Sequence, residues 1–232
     1  MPESAEPQND FSREASMPEG AVPLESIDCT GELRRRPSRP TEFEKENRAL
    51  VALVTALSES AVTIFQTLAE TILDVTQCDS SGLSLLTPDG GKSFYWPAIA
   101  GMWAPHIRGG TPRNLGPCGD VLDRNGTILF RHFERRYPYM MPVIPAAEEC
   151  LMVPFYVDGK AVGTIWGIMH SDRRKFDSED ERIMSSLGQF ASVAYRTVGS
   201  IDNVKVQIAA RAKRRKQSCG NGPRGLKPGS GA

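Results

Sequence analysis

The chain has 232 residues, with 28 Lys and Arg against 28 Asp and Glu, so its formal charge is zero. That balance gives no overall attraction to nucleic acid or an anionic surface. No apolar run reaches the roughly 18–20 residues of a membrane span, and the first residues have neither the basic start nor the apolar stretch of an export signal. Its 5 cysteines include no Cys-x-x-Cys pair, so reduced thiols in a cytoplasmic protein are expected, in place of a disulfide framework or a zinc site.

Residues 1–41 are rich in Pro, Glu and Ser and poor in aromatics. Such a segment buries too little apolar surface to offset its ordering entropy, and it is predicted to be disordered, with Arg34, Arg35, Arg36 and Arg39 as a solvated basic knot. From Glu42 the pattern turns helical. Leu50, Leu53 or Val54 and Leu57 recur three to four residues apart, and after Ser58-Glu59-Ser60 the series Val62, Phe65, Leu68 or Ala69, Ile72 and Val75 resumes it. This predicts one long helix or two abutting ones, the second half lying on a sheet and the first carrying an apolar edge that suits a second subunit.

Ser81 to Thr87 reads as a first strand and Lys92 to Ala100 as a second. Pro97, which cannot donate a ladder hydrogen bond, marks a bulge or an edge there. Gly101 to Asn125 is a Gly- and Pro-rich excursion, and connections of that length are usually functional or contain short helices. Thr127 to Phe130 is a short strand, and Arg131 to Glu149 is a second irregular segment, expected to face the first across a pocket. Cys150 to His170 alternates apolar residues around Asp158-Gly159, the signature of a hairpin with a type I′ turn, whose two central residues need positive φ. A helix capped near Asp177 or Ser178 follows, with Glu179, Asp180 and Glu181 in its positive first turn and Ile183, Leu187, Phe190 and Ala194 on one stripe. Residues 199–232 are Gly-rich and basic, with eight Lys or Arg and no acid from Lys205 onward, and a mostly disordered tail is predicted there. It lacks interleaved aromatics for stacking on bases, which argues against a nucleic-acid contact.

Three features together resemble the GAF domain of sensory and signalling proteins, as found in bacterial sensors. They are the segment LMVPFYVDGKAVGTIWGIMHSDRRKFDSEDERIMSSLGQFASVAYR, the order of helix, strand and turn before it, and NLGPCGDVLDRNGTILF in mid-chain. The resemblance implies an α/β (α+β) fold over residues 42–198: a central antiparallel sheet of five or six strands, with N- and C-terminal helices on one face and pocket loops on the other. It also implies a small-molecule-sensing regulatory domain of signal transduction without its own catalytic output domain, paired as a homodimer through its terminal helices and acting on a signalling partner protein.

The residues expected to contact an effector are Trp96, Trp103, Arg113, Cys118, Asp120, Arg124, Phe130 and Tyr139. An aromatic cavity with a few cations suits a small planar or anionic molecule. Cys118 invites comparison with GAF domains that attach a bilin through cysteine, but Gly119 stands where histidine usually follows, which argues against a bilin. An enzymatic alternative is a thiol reductase of the methionine sulfoxide type, using Cys118 with Cys78 or Cys150, and it needs a thiolate near a resolving thiol. Another alternative is a structural dimerisation module whose pocket is filled by its own side chains. His106, His132 and His170 share no ligand spacing, so no metal is expected. Lys175-Phe176 matches part of the Asn-Lys-Phe-Asp-Glu signature of cyclic-nucleotide-binding GAF domains, with Arg174 in place of the asparagine. A structural ion pair between Lys175 and Asp180-Glu181 is the simpler expectation.

Overall fold

The computed structural model describes residues 21–60 and 63–220, with backbone alone for residues 202–220. The chain divides into two compact units, Met1–Tyr195 and Arg196–Ala232.

The first unit is built on six antiparallel strands: β1 (Ser80–Leu86), β2 (Ser93–Gly101), β3 (Gly110–Pro112), β4 (Ile128–Arg131), β5 (Glu149–Val157) and β6 (Lys160–Met169), in the order β3-β2-β1-β6-β5-β4. The β5–β6 hairpin lies within the sheet, its turn made by Asp158 at φ 51° and Gly159 at φ 74°. Pro154 is tolerated in β5 because β4 reaches only as far as Met152, and the neighbouring Tyr156 N–H donates to Ser192 Oγ. Between β1 and β2 the register slips: Leu83 faces Ala98 but Leu85 faces Tyr95. The bulge therefore falls at Trp96-Pro97, as the proline predicts.

The expected helical stretch is two helices, α2 (Phe43–Glu59) and α3 (Ile64–Thr76), separated where Ser60 turns extended. α3 lies on β1 and β2, and α2 lies on α3. Ser81 Oγ donates to Ala69 O in α3, so Ser81 and Leu83 face the helices, and Leu83 pairs with Ile165, which lies beneath Gly188. Gly188 belongs to the last helix, α5 (Ser178–Gly220), so α3 and the start of α5 cover the same face. Asp177 Oδ1 caps α5 by accepting from the N–H groups of Glu179 and Asp180.

Two expectations about the ends need correction. Residues 21–41 are an ordered strap, not part of a disordered segment, whereas residues 1–20 lie outside the described residues. Leu24, Ile27 and Leu33 of the strap are buried. Cys29 N–H donates to Leu129 O at 2.7 Å, and Arg131 N–H donates to Ile27 O at 2.9 Å, so the strap covers the free edge of β4. It includes the short helix α1 (Thr30–Leu33). The basic knot is solvated only in part: Arg34 and Arg35 are exposed, but Arg36 pairs with buried Glu149, and Arg39 with buried Asp180. In the second unit residues 196–220 are helical, continuing α5, where a mostly disordered tail was expected from 199. Residues 221–232 are outside the described residues.

Candidate functional site

The face of the sheet away from α3 carries Gly82, Ser84, Cys150, Met152, Trp166 and Ile168. Gly82 stands opposite Trp166, and a Cβ there would lie 2.5 Å from Trp166 Cζ2 and 2.7 Å from Ala98 O. Only glycine lets that indole lie against the sheet. The bulge at Pro97 turns Trp96 onto the same face. Its N–H donates to Gly109 O at 2.9 Å and its carbonyl accepts from Arg108 N–H at 3.0 Å.

A lid covers this face. Its first part is α4 (Pro117–Arg124), which starts with Pro117 after Gly116 and places Cys118 inward. The second is the loop bearing Trp103, whose N–H donates to Ser80 Oγ at 3.0 Å and whose Nε1–H donates to Pro145 O at 2.8 Å. The third is the segment with Phe133, Tyr137 and Met140. Asp120 ties α4 to this third part, accepting from Arg136 Nε at 2.9 Å and from the Tyr137 hydroxyl.

Sheet and lid enclose a cavity of about 10 Å³ lined by Ser84, Trp96, Trp103, Thr111, Pro117, Cys118, Phe133, Met140, Met152 and Trp166. That is room for about one water molecule. All 3 tryptophans of the chain line it. Outside the lid, residues 105–110 and 138–143 face each other across a groove of about 840 Å³, and Trp96 and Met140 line both spaces. His106 Nε2–H donates to Ile144 O at 3.1 Å across the two loops.

Trp96, Trp103 and Cys118 thus meet at the cavity, while the other expected residues do not. Phe130 is buried beside it, edge-on to Tyr137. Tyr139 is exposed on the outer groove. Arg113 pairs with Asp123 at 2.5 Å, and Arg124 with Glu25 at 2.7 Å and Asp28 at 3.4 Å. The arginines face acids outside the cavity, which corrects the expectation that they converge on a ligand. Ser84, Thr111, Pro117, Phe133, Met140, Met152 and Trp166 also line the cavity and were not among the expected site residues. Alternation along β6 puts Trp166 on this face, but nothing local marks Thr111.

The polar atoms at the cavity are few. Ser84 Oγ accepts from Trp166 Nε1–H at 3.1 Å, and Cys118 Sγ from Thr164 Oγ1–H at 3.5 Å. Thr111 Oγ1 has no hydrogen-bond partner. Burial pushes the Cys118 thiol up, more than its hydrogen bonds with Ser84 and Thr164 lower it. Burial also pushes Cys78 up to about 11 and Cys150 well above the usual thiol range, the reverse of what thiolate chemistry needs. Lys175 pairs with Glu148 at 2.6 Å, and Asp180 is held by Arg174 and Arg39. The ion pair near the helix start is therefore there, with partners other than those expected. Among the described residues no group of three or more His, Cys, Asp or Glu is placed to hold a metal, and no helix is long and apolar enough to cross a membrane.

A six-stranded antiparallel sheet with helices on one face and a lid over the other defines a class of α+β domains. The chain belongs to the GAF family: the model for the GAF domain matches residues 58–195, and GAF domains are generally small-molecule-binding domains of signalling proteins. Among solved structures it is similar to the GAF domain from an Acinetobacter phosphoenolpyruvate-protein phosphotransferase, at 15% identity and TM-score 0.55, covering 68% of this chain and 97% of that one. It is also similar to the free methionine-R-sulfoxide reductase of Neisseria meningitidis in complex with its substrate, at 14% identity and TM-score 0.56, covering 72% and 97%. A third likeness is to the GAF-B domain of DevS from Mycobacterium smegmatis, at 17% identity and TM-score 0.52, covering 62% and 99%. At these identities the likenesses show the fold alone. No curated protein matches the chain.

Proposed function

We propose that this GAF domain is a regulatory sensor whose small-molecule effector occupies the space between sheet and lid. The observation that carries the reading is that Trp96 and Met140 line both a small apolar cavity and an open groove between two loops. An effector entering there shifts the lid, and Asp120, Arg136 and the strap residue Val22, which accepts from Arg136 Nη1–H at 3.1 Å, carry that shift to the strap. The strap reaches α5 through Arg39 and Asp180. Binding biases the domain only if the two lid positions differ in affinity for the effector. The reading includes no catalytic step, because burial disfavours the thiolates a reductase would use. Phe43, Val51 and Val54, exposed on α2, support a homodimer through that helix, with an output protein as the further partner.

A second reading, a structural module filled by its own side chains, is favoured by the one-water size of the cavity. Native mass spectrometry of freshly purified protein, repeated after denaturation, separates the two and counts subunits. The sensor predicts a noncovalent mass excess lost on denaturation, or a shift of tryptophan emission when effector is added. Neither signal, in a dimer, would sink the sensor reading in favour of the module.

A further inference from the structure

Resting on that sensor reading, we infer that the effector is a neutral, flat, mainly apolar molecule with one hydrogen-bonding group, and that Thr111 Oγ1 anchors that group. Every other polar side-chain atom discussed at the cavity is already engaged. Ser84 Oγ accepts from Trp166, Cys118 Sγ from Thr164, and Trp103 Nε1–H is given to Pro145 O. Thr111 is 1% exposed, lines the cavity, and its hydroxyl has no partner. A buried hydroxyl with nothing to bond is disfavoured unless another molecule completes it. Gly116 packs against this side chain, and a Cβ there would come 2.9 Å from Thr111 Oγ1.

Charge is disfavoured by the lining of the cavity itself, while Arg108 lines the outer groove. Arg113, Arg124, Arg131 and Arg136 are each paired with a carboxylate outside the cavity, and no charged side chain lines it. An ionised ligand would lose its hydration without a counter-charge. Shape follows from the walls. Trp103 meets Trp166 edge-on with ring centroids 5.8 Å apart, and Phe133 edge-on at 6.3 Å, so an occupant lies among ring faces and edges. Since the cavity holds about one water, the occupant must displace a side chain. Met140 is that side chain, because it is unbranched and adaptable and lines both the cavity and the groove, whereas the Trp96 backbone is fixed on both sides by Arg108 and Gly109.

The test is isothermal titration of the full chain with p-cresol and toluene, which share a shape except for one hydroxyl, and with benzoate as the charged control. Wild-type, Thr111→Val and Met140→Ala proteins are compared. Wild type should bind p-cresol about 5- to 100-fold more tightly than toluene, the range set by one buried hydrogen bond left unmade. Thr111→Val should abolish that preference and leave toluene binding unchanged. Met140→Ala should strengthen both, and benzoate should bind none of the three. Equal p-cresol affinity in wild type and Thr111→Val, or benzoate binding tighter than p-cresol, overturns the anchor while the sensor reading stands. No binding of p-cresol or toluene even to Met140→Ala shows that the cavity admits no ligand, and overturns the sensor reading and the anchor together.

Discussion

Replacing Arg36 by methionine tests whether the strap is a structural part of the domain. Arg36 Nη1–H donates to Glu149 Oε2 at 2.9 Å and to Phe176 O at 2.7 Å, and Nη2–H donates to Glu149 Oε1 at 2.7 Å and to Glu32. Glu149 is fully buried. Removing one partner of a buried ion pair costs about 3–5 kcal/mol when the other charge is left uncompensated. Here Glu149 keeps Arg131 Nη2–H at 2.9 Å and Phe176 N–H at 3.3 Å, which puts the expected loss at the low end, about 3 kcal/mol. In a domain of this size that lowers Tm by roughly 6–12 °C. Burial alone would raise the Glu149 carboxyl, but the hydrogen bonds from Arg36 and Arg131 outweigh it and hold it below the ordinary value of 4.5. A carboxyl lowered on folding contributes stability that is fully present above its unfolded pKa and is lost as pH falls through the folded one. The gap between wild type and variant, read from thermal and urea unfolding followed by circular dichroism, should therefore be full at pH 7 and narrow below 4.5. Hydrogen exchange at Arg131 N–H, which donates to Ile27 O, should accelerate in the variant. A loss under about 0.5 kcal/mol, the scatter of ordinary surface substitutions, or a gap independent of pH, would refute the buried latch.

Gly82→Ala would push a methyl group into the Trp166 ring and the Ala98 carbonyl, an overpacking cost of about 1–3 kcal/mol. Near-ultraviolet circular dichroism should lose the Trp166 contribution, and an unchanged spectrum would contradict the close approach. Asp120→Asn removes the carboxylate shared by Arg136 and Tyr137, so acrylamide should quench the cavity tryptophans more readily than in wild type at a stability cost of about 1–2 kcal/mol. Unaltered quenching would separate Asp120 from the lid. Native labelling with a thiol-disulfide reagent at pH 7 should leave Cys78, Cys118 and Cys150 intact, because burial both shields them and raises their pKa values. Rapid modification of Cys118 in the folded protein would revive the reductase alternative.

What could be read along the chain was whatever repeats locally. Asp158-Gly159 specifies its turn because both residues must take positive φ, Pro97 specifies its bulge because it has no N–H, and the apolar stripes of α3 and α5 follow the period of their own helices. The strap has no such signal. Leu24, Ile27 and Leu33 follow neither period, and what orders them is an exposed strand edge about a hundred residues further along. Charged residues were misread for the same reason, since the buried partners of Arg36 and Arg39, Glu149 and Asp180, lie 113 and 141 residues away and composition shows only a basic cluster. Thr111 sits between Gly110 and Pro112 with no pattern around it. Its meaning comes from which neighbouring groups already have partners.

That dependence on partners also underlies the proposed effector class. Read as neighbours in sequence, Arg113, Arg124 and Arg131 stand beside the aromatics and Cys118 and suggest a pocket for a planar or anionic molecule. In the fold, α4 turns Cys118 inward, while Arg113 and Arg124 point toward Asp123 and Glu25, and Arg131 reaches across to Glu149. The positive charges neutralise the outer shell, and the three tryptophans remain as the inner one. The contrast between an aromatic interior with an unpaired Thr111 hydroxyl and arginines that pair with carboxylates outside it is what supports the proposed neutral effector.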